Sequence, residues 1–292
     1  MGAELLADPA FVALADRCSD ACGLDLRYLL VDAPDAELTL TQHAQPALLF
    51  VGVALSTLCR RRGVVPDASA GHSAGEYTAL TVAGACSLEE AMQAIAERGR
   101  AMAEAAPPGT STMAAVLGLD ADRVSEVLAD LPGVWPANYN APTQVVIGGT
   151  VEGVEAARAR LLQAGARRVL PLNVAAAFHT PLMASAAGRL RRVLDTVAWR
   201  APSVPVVANV SAEPYSSAEG VPSLLERQLF SPVRWGGCVG ALRDLGCERF
   251  LELGPRRALS GMLRDLAPAA EAAQAATPEA VRAYAEALPA AP

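Results

Sequence analysis

Residues 69–80 read SAGHSAGEYTAL, a Gly-x-Ser-x-Gly core between a short approach of small residues and an apolar run. No other stretch restricts the fold as much. A serine with a glycine two places away on each side predicts a short strand, a turn too sharp to hold a Cβ at Gly71 or Gly75, and a helix leaving the turn. Such a turn lifts the Ser73 hydroxyl clear of the backbone. It also leaves the Ala74 amide at the mouth of the new helix, where a free N–H and the helix dipole face a developing oxyanion. The same spacing serves a tight packing turn with no chemistry, and the motif alone leaves both readings open.

A serine nucleophile needs a base, and the chain has three histidines. His72 adjoins Ser73, so its side chain diverges from the hydroxyl. His43 lies in a long apolar stretch, where packing or capping explains it. His179, in AAAFHTPLM, falls where a strand-like run turns into a helix, and in α/β sheets the carboxyl ends of strands gather the active site. It is the candidate base, with a structural histidine as the alternative. No acid between Ser73 and His179 stands out as a third member of a triad; a backbone carbonyl could orient the imidazole instead. Arg98, in ERGRAM, is either an exposed helix arginine or, facing a cleft, a two-pronged carboxylate ligand.

Around these residues the pattern alternates between helix and strand. Apolar periodicity predicts helices over 4–22 and 41–63, the latter ended by Gly63. A further helix spans 87–105, with Ser87 as N-cap and Glu90 at the capping-box position. Between 112 and 174 the order is βαββαβ, the ferredoxin-like arrangement, complete in itself. The reading is an α/β protein: a large domain from 1–111 and 175–266, an inserted subdomain at 112–174, and an Ala/Pro-rich tail at 267–292 expected to be weakly held. Aromatics make up only 4% of the chain, so the core falls to Ala, Val and Leu.

The net charge is −7 and all 24 basic side chains are arginine, with no basic block, which argues against a nucleic-acid binder. No basic flank with an apolar signal core opens the sequence, and the apolar run at 46–58 is too short for a membrane span. The cytoplasm is therefore expected, with the six cysteines reduced. Cys18 and Cys22 could share a helix face, but no nearby Cys or His pair completes a zinc site.

TQHAQPAL (41–48), GHSAGEYTAL (71–80), RGRAM (98–102), ANYNAPTQVVIGG (137–149), VAAAFHTPLM (174–183), RQLFSPVRW (227–235) and ELGPRRAL (252–259) follow one another over most of the chain. With them the chain resembles the malonyl-CoA:acyl carrier protein transacylases and the related acyltransferase domains of polyketide synthases. The resemblance implies a hydrolase-like parallel-sheet α/β domain with a ferredoxin-like insert, acting in fatty acid or polyketide biosynthesis. It implies that Ser73 carries the acyl group as an ester and that His179 is general base and acid. Arg98 would hold the free malonyl carboxylate, and the backbone carbonyl of Gln228 would orient the histidine. The implied partners are malonyl-CoA and an acyl carrier protein with its phosphopantetheine arm; no metal or redox cofactor is implied.

Phe178, just before the histidine, resembles the malonyl-type pattern, where a serine would resemble the methylmalonyl type. One methyl is worth only about 1–3 kcal/mol in a pocket, so preference rather than exclusion is expected. Ala176 stands where those synthase domains often carry histidine. Arg191 and Arg192 are candidates for docking an acidic carrier, with a solvated helix face as the alternative.

One departure stands out. Members of this family begin with a strand and a GQGxQ loop, whose glutamine amide is the second oxyanion donor. This sequence opens MGAELLADPAF, which resembles the residues just after that loop, so the first strand and that donor are expected to be absent. A start further upstream, a trimmed chain and a natively short protein each account for it. Two other functions stay open: a hydrolase clearing carrier-bound acyl groups with the same Ser73 and His179, and a non-catalytic carrier-docking protein.

Overall fold

The computed structural model describes residues 1–107 and 109–288. The helix expected over 4–22 divides in two. A 3-10 turn covers Ala3–Ala7, and α1 (Pro9–Cys22) starts afresh because Asp8 caps the Ala10 amide and Pro9 opens the first turn, where its missing N–H costs nothing. Two short helices that the sequence reading did not anticipate, α2 (Leu26–Val31) and α3 (Asp35–Leu38), lead into α4 (Thr41–Arg61). Gly63, left-handed at φ 75°, turns the chain after α4. Next come β1 (Ser69–Ala70), α5 (Gly75–Val82) and α6 (Leu88–Ala105). The capping box at Ser87 and Glu90 is present in both directions.

Helices α4 and α6 approach closely at Gly99, where a Cβ would lie 2.7 Å from the Cα of Gln42. That contact sets Gln45 of α4 against Arg98 of α6. The main core beneath is rich in small residues: Ala47 and Ala54 of α4, Ala91, Ala94 and Ala96 of α6, with Phe11, Phe50 and Ile95 as larger fillers.

Strands β2 (Ser111–Leu117), β3 (Val134–Ala141), β4 (Gln144–Thr150) and β5 (Arg168–Pro171) form an antiparallel sheet in the order β3-β4-β2-β5. Helices α7 (Ala121–Leu128) and α8 (Val151–Gln163) pack on one face through Val124, Leu128, Val154 and Leu161. The other face, with Met113, Ala137 and Val146, carries Ala177 and Phe178. The alternation of side chains along each strand produces these two faces. The connection from 172 to 180, expected to begin as strand, contains no strand after Pro171.

The remaining elements are α9 (Ala184–Leu194), β6 (Val206–Val207), α10 (Val221–Phe230), α11 (Trp235–Asp244), β7 (Arg249–Leu253), α12 (Ala258–Leu266), β8 (Glu271–Ala275) and α13 (Pro278–Ala287). Among the described residues the parallel strands make two separate pairs, β1 with β6 and β7 with β8, rather than one continuous sheet. The expected strand at VPVVANV shrinks to two residues, because the Val206 and Tyr215 pairing folds the chain back through a left-handed Ala212 at φ 58°. The fold is thus mixed α/β, with parallel and antiparallel sheets.

The expectation of a weakly held tail is corrected. Residues 271–275 add β8 in parallel register to β7, and Val281 of α13 is fully buried against the main core. Small alanines allow that packing, and Thr277 caps α13 by accepting from the Ala280 amide. Residues 289–292 of that segment lie outside the described residues.

Candidate active site

The chain leaves β1 at Ala70 and turns at once. A Cβ on Gly71 would fall 1.9 Å from the carbonyl oxygen of Gly75, so no other residue fits. At Gly75 a Cβ would meet nothing within 4 Å, and the expectation that both flanks lack room fails there: it is the Gly75 backbone that crowds Gly71. Ser73 sits at φ 54°, a left-handed conformation that costs a non-glycine residue about 1–3 kcal/mol. Three hydrogen bonds hold it there. The Ser73 amide donates to Asn209 Oδ1 at 2.7 Å, Asn209 Nδ2 donates to the Gly71 carbonyl at 2.8 Å, and Gln228 Nε2 donates to the Ser73 carbonyl at 3.0 Å. Among the described residues the Ala74 amide, one step ahead of α5, has no protein acceptor. Gly71→Ala is expected to abolish cooperative folding, whereas Gly75→Ala keeps the fold with a melting temperature near the parent's; thermal unfolding followed by circular dichroism reads both.

His179 arrives from the opposite side at φ 60°. Its backbone amide donates to the Leu229 carbonyl at 3.1 Å, and Thr180 Oγ1 ties back to the Ala177 carbonyl at 2.7 Å. The Ser73 hydroxyl donates to His179 Nε2 at 2.7 Å, and His179 Nδ1 donates to the Gln228 backbone carbonyl at 2.7 Å. The carbonyl fixes the tautomer, so Nε2 is the free acceptor. Burial, and then the nearby Arg98 guanidinium, push this imidazole down to about 3. It is therefore a neutral base across the physiological range. His72 diverges from the serine: its Nε2 meets Asn140 Oδ1 at 3.0 Å and its ring tilts against Trp235. His43 sits near the start of α4 with Nδ1 3.3 Å from the Glu37 carbonyl.

Arg98 is only 1% exposed, which decides against the exposed-helix alternative. Nη1 donates to Gln45 Oε1 at 2.5 Å; Nη2 donates to Gln228 Oε1 at 2.8 Å and to Ser73 Oγ at 3.0 Å. Gln45 is aligned by its own Nε2, which donates to Thr41 Oγ1 at 2.7 Å. The guanidinium lies over the Tyr77 ring, 5.8 Å from its centroid. Its Nε has no partner, and among the described residues no carboxylate forms a salt bridge with it. A buried cation held by two amide oxygens and a hydroxyl is prepared for an incoming anion.

Sequence reasoning missed a polar layer beneath the serine. Glu76 is buried; it accepts from Tyr215 Oη at 2.5 Å, from Gln228 Nε2 at 2.5 Å and from the Asn209 amide at 3.3 Å. Glu76 stood inside the GHSAGE segment, but an acid in the first turn of a helix reads as a dipole contact. Nothing local showed that it faces inward. Burial pushes its carboxyl up to about 7, against the hydrogen bonds from Tyr215, Gln228 and Asn209 and the attraction of Arg98.

The described geometry joins a serine, a neutral imidazole and a buried arginine, the parts needed for acyl transfer through a serine ester. The acyl transferase domain family matches residues 1–280. The malonyl CoA-acyl carrier protein transacylase of Bacillus subtilis (strain 168) is 40% identical over 269 residues, covering 90% of this chain and 85% of the relative. The chain belongs to the malonyl CoA-acyl carrier protein transacylase family. The solved transacylase of Coxiella burnetii superposes with a TM-score of 0.93 at 34% identity, covering 97% of this chain and 92% of that one. A malonyl-transacylase solved in complex with a type II polyketide synthase acyl-carrier protein superposes with a TM-score of 0.92 at 36% identity, covering 96% and 92%.

Within this transacylase-family chain, Phe178 is half-buried and packs against both the main core and the Met113–Val146 face of the antiparallel sheet. Ala176 beside it is buried. Arg191 pairs through Nε and Nη1 with Asp195 at 2.7 Å, Ser223 at 3.2 Å and Glu226 at 3.3 Å; Arg192 is exposed. Cys18 and Cys22 are buried free thiols on α1, and burial raises Cys18 to about 12.

Proposed function

We propose that this protein transfers a malonyl group from malonyl-CoA to the pantetheine thiol of an acyl carrier protein, through an ester on Ser73. One observation carries the reading: Ser73 Oγ lies 2.7 Å from a neutral acceptor nitrogen and 3.0 Å from a buried guanidinium. The names of the relatives and the solved complex of a malonyl-transacylase with its carrier support the same substrate pair.

In the first half, Ser73 Oγ adds to the thioester carbonyl carbon and its proton passes to His179 Nε2. The oxyanion faces the Ala74 N–H at the start of α5. The C–S bond then breaks, and the coenzyme A sulfur takes the proton from Nε2. In the second half the carrier's thiol gives its proton to Nε2 and adds to the malonyl ester, and Ser73 leaves with that proton. The Gln228 carbonyl keeps Nδ1 protonated and steadies the transient imidazolium. Arg98 binds the free malonyl carboxylate, exchanging its bond to the Ser73 hydroxyl for one to the substrate. Phe178 narrows the space beside the reacting carbon and biases the site toward malonyl over its α-methyl homologue.

For the architecture we read 112–174 as a ferredoxin-like subdomain inserted in a hydrolase-like domain of 1–111 and 175–266, with 267–292 as a further C-terminal segment. The β3-β4-β2-β5 order and the two helices on one face support that division. No described helix is long and apolar enough to cross a membrane.

Mixing the protein with malonyl-CoA and a carrier bearing its phosphopantetheine arm tests the transfer. Malonyl-carrier forming faster than free malonate is the expected result. Free malonate as the main product would move the assignment to the hydrolase.

A further inference from the structure

Gln228 does two jobs with one residue: its backbone carbonyl accepts from His179, and its side-chain amide bridges Arg98 and Glu76. An amide can sit in either of two flipped states. Here Oε1 must face Arg98, which only donates, so Nε2 must face an acceptor on the other side. Glu76 supplies that acceptor at 2.5 Å, beside the Ser73 carbonyl at 3.0 Å. As a carboxylate it has no proton to offer, so it admits one orientation of Gln228 and rejects the flip. Its second oxygen is fixed by Tyr215 and the Asn209 amide, so the carboxylate cannot swing away. Arg98 has no salt-bridge partner among the described residues, yet it lies close enough to favour the ionised form of Glu76. Glu76 is thus the counter-charge of Arg98 at one amide's remove. A direct ion pair would fill the place needed by a substrate carboxylate; an intervening amide does not.

We propose that Glu76 is a positioning residue for the acid group of the substrate, acting through Gln228 to hold Arg98 aimed and free of a competing carboxylate. The proposal rests on the malonyl-transfer reading above. It applies to the carboxylated end of the acyl group and not to the thioester, so it separates substrates that share coenzyme A.

The charged and titratable groups around Glu76 are Arg98 of α6, Tyr77 of α5, Tyr215 after β6 and Cys238 of α11. Burial raises both tyrosines and carries Cys238 to about 12, so between pH 6 and 8 only Glu76 changes charge in this layer. Protonation removes its charge and its acceptor-only character, so as pH falls through about 7 the hold on Gln228 weakens to the Ser73 carbonyl and Arg98 alone.

The test compares malonyl-CoA with acetyl-CoA as acyl donors, because the shared coenzyme A cancels its own titration. In Glu76→Gln the Asn209 amide and Tyr215 keep the new carbonyl oxygen on their side, so the new NH2 meets Gln228 Nε2 donor against donor and the counter-charge of Arg98 is gone, although the Ser73 carbonyl still accepts from Nε2. KM for malonyl-CoA is expected to rise about tenfold while KM for acetyl-CoA and kcat change less than threefold. Val281→Ala, a core truncation in α13, is expected to lower the melting temperature without moving the KM ratio. The unaltered protein supplies a second arm that needs no variant: its malonyl-to-acetyl KM ratio is expected to rise as pH is lowered from 8 to 6. A KM ratio unchanged in Glu76→Gln, or, should that variant not fold, a ratio flat between pH 8 and 6, would overturn the proposal. A native protein that forms no malonyl ester would instead overturn the function on which it rests.

Discussion

His179→Ala is expected to lower the rate of Ser73 acylation by about 10⁴-fold or more, with the melting temperature changed far less than the rate. The serine stays in place, held by Asn209 and Gln228, so what disappears is the acceptor for its proton. Stopped-flow or quenched-flow acylation by malonyl-CoA measures it. The same geometry predicts the pH behaviour of the native enzyme. An imidazole held near 3 stays unprotonated as the solution is acidified, so kcat at saturating donor should show no loss centred at 6.5. The sign for stability is opposite. The unfolded chain takes up a proton at this histidine near 6.5 that the folded chain refuses until about 3, so this group's contribution to stability is complete above 6.5 and is lost as pH falls toward 3. Glu76 runs the other way: its contribution is complete below 4.5 and is lost as pH rises through about 7. Between 4.5 and 6.5 the slopes of these two groups oppose each other, while burial also lowers His72, so stability is expected to fall as pH drops below 6.5. A kcat profile with an acid limb at 6.5 would contradict the buried, neutral histidine.

Arg98→Ala is expected to cost about 2–5 kcal/mol in kcat/KM for malonyl-CoA, roughly a 30- to 4,000-fold loss. Acetyl-CoA has no carboxylate for the guanidinium to meet, so its kcat/KM should fall by less than tenfold and the preference for malonyl should collapse. The effect is large because Arg98 is buried and its charge is poorly screened. Competition between the two donors, followed by intact mass, gives the ratio directly. An undiminished preference for malonyl would place the carboxylate elsewhere.

The parts of this site that were legible in the sequence are those that demand a backbone shape. Gly71 marks a turn where its Cβ would strike the carbonyl of Gly75, and that requirement is visible as a motif. The capping box at Ser87 and the βαββαβ order of 112–174 were legible for the same reason: both follow from local chemistry and side-chain period. What could not be read locally was which polar side chains face inward. Glu76 is distant in sequence from Asn209 and Tyr215 and meets them only after β1 and β6 pair and α5 packs down. Gln45 looked like one more polar residue near the start of α4; the close α4–α6 crossing at Gly99 makes it a ligand of Arg98. The ordered tail departs from the expectation because alanine and proline read as weak structure, although small residues suit a parallel strand and a helix laid against an existing surface. Arg191 lies near His179 in sequence, but its partners Ser223 and Glu226 belong to α10 and come from elsewhere in the chain.

The central claim is that the Ser73 hydroxyl becomes a malonyl ester. Brief mixing of the protein with malonyl-CoA, acid quench and intact mass spectrometry, followed by peptide mapping, tests it most directly. A single malonyl adduct on the peptide carrying Ser73, absent in Ser73→Ala, is the expected result. No adduct, or an adduct that persists in Ser73→Ala, would contradict it.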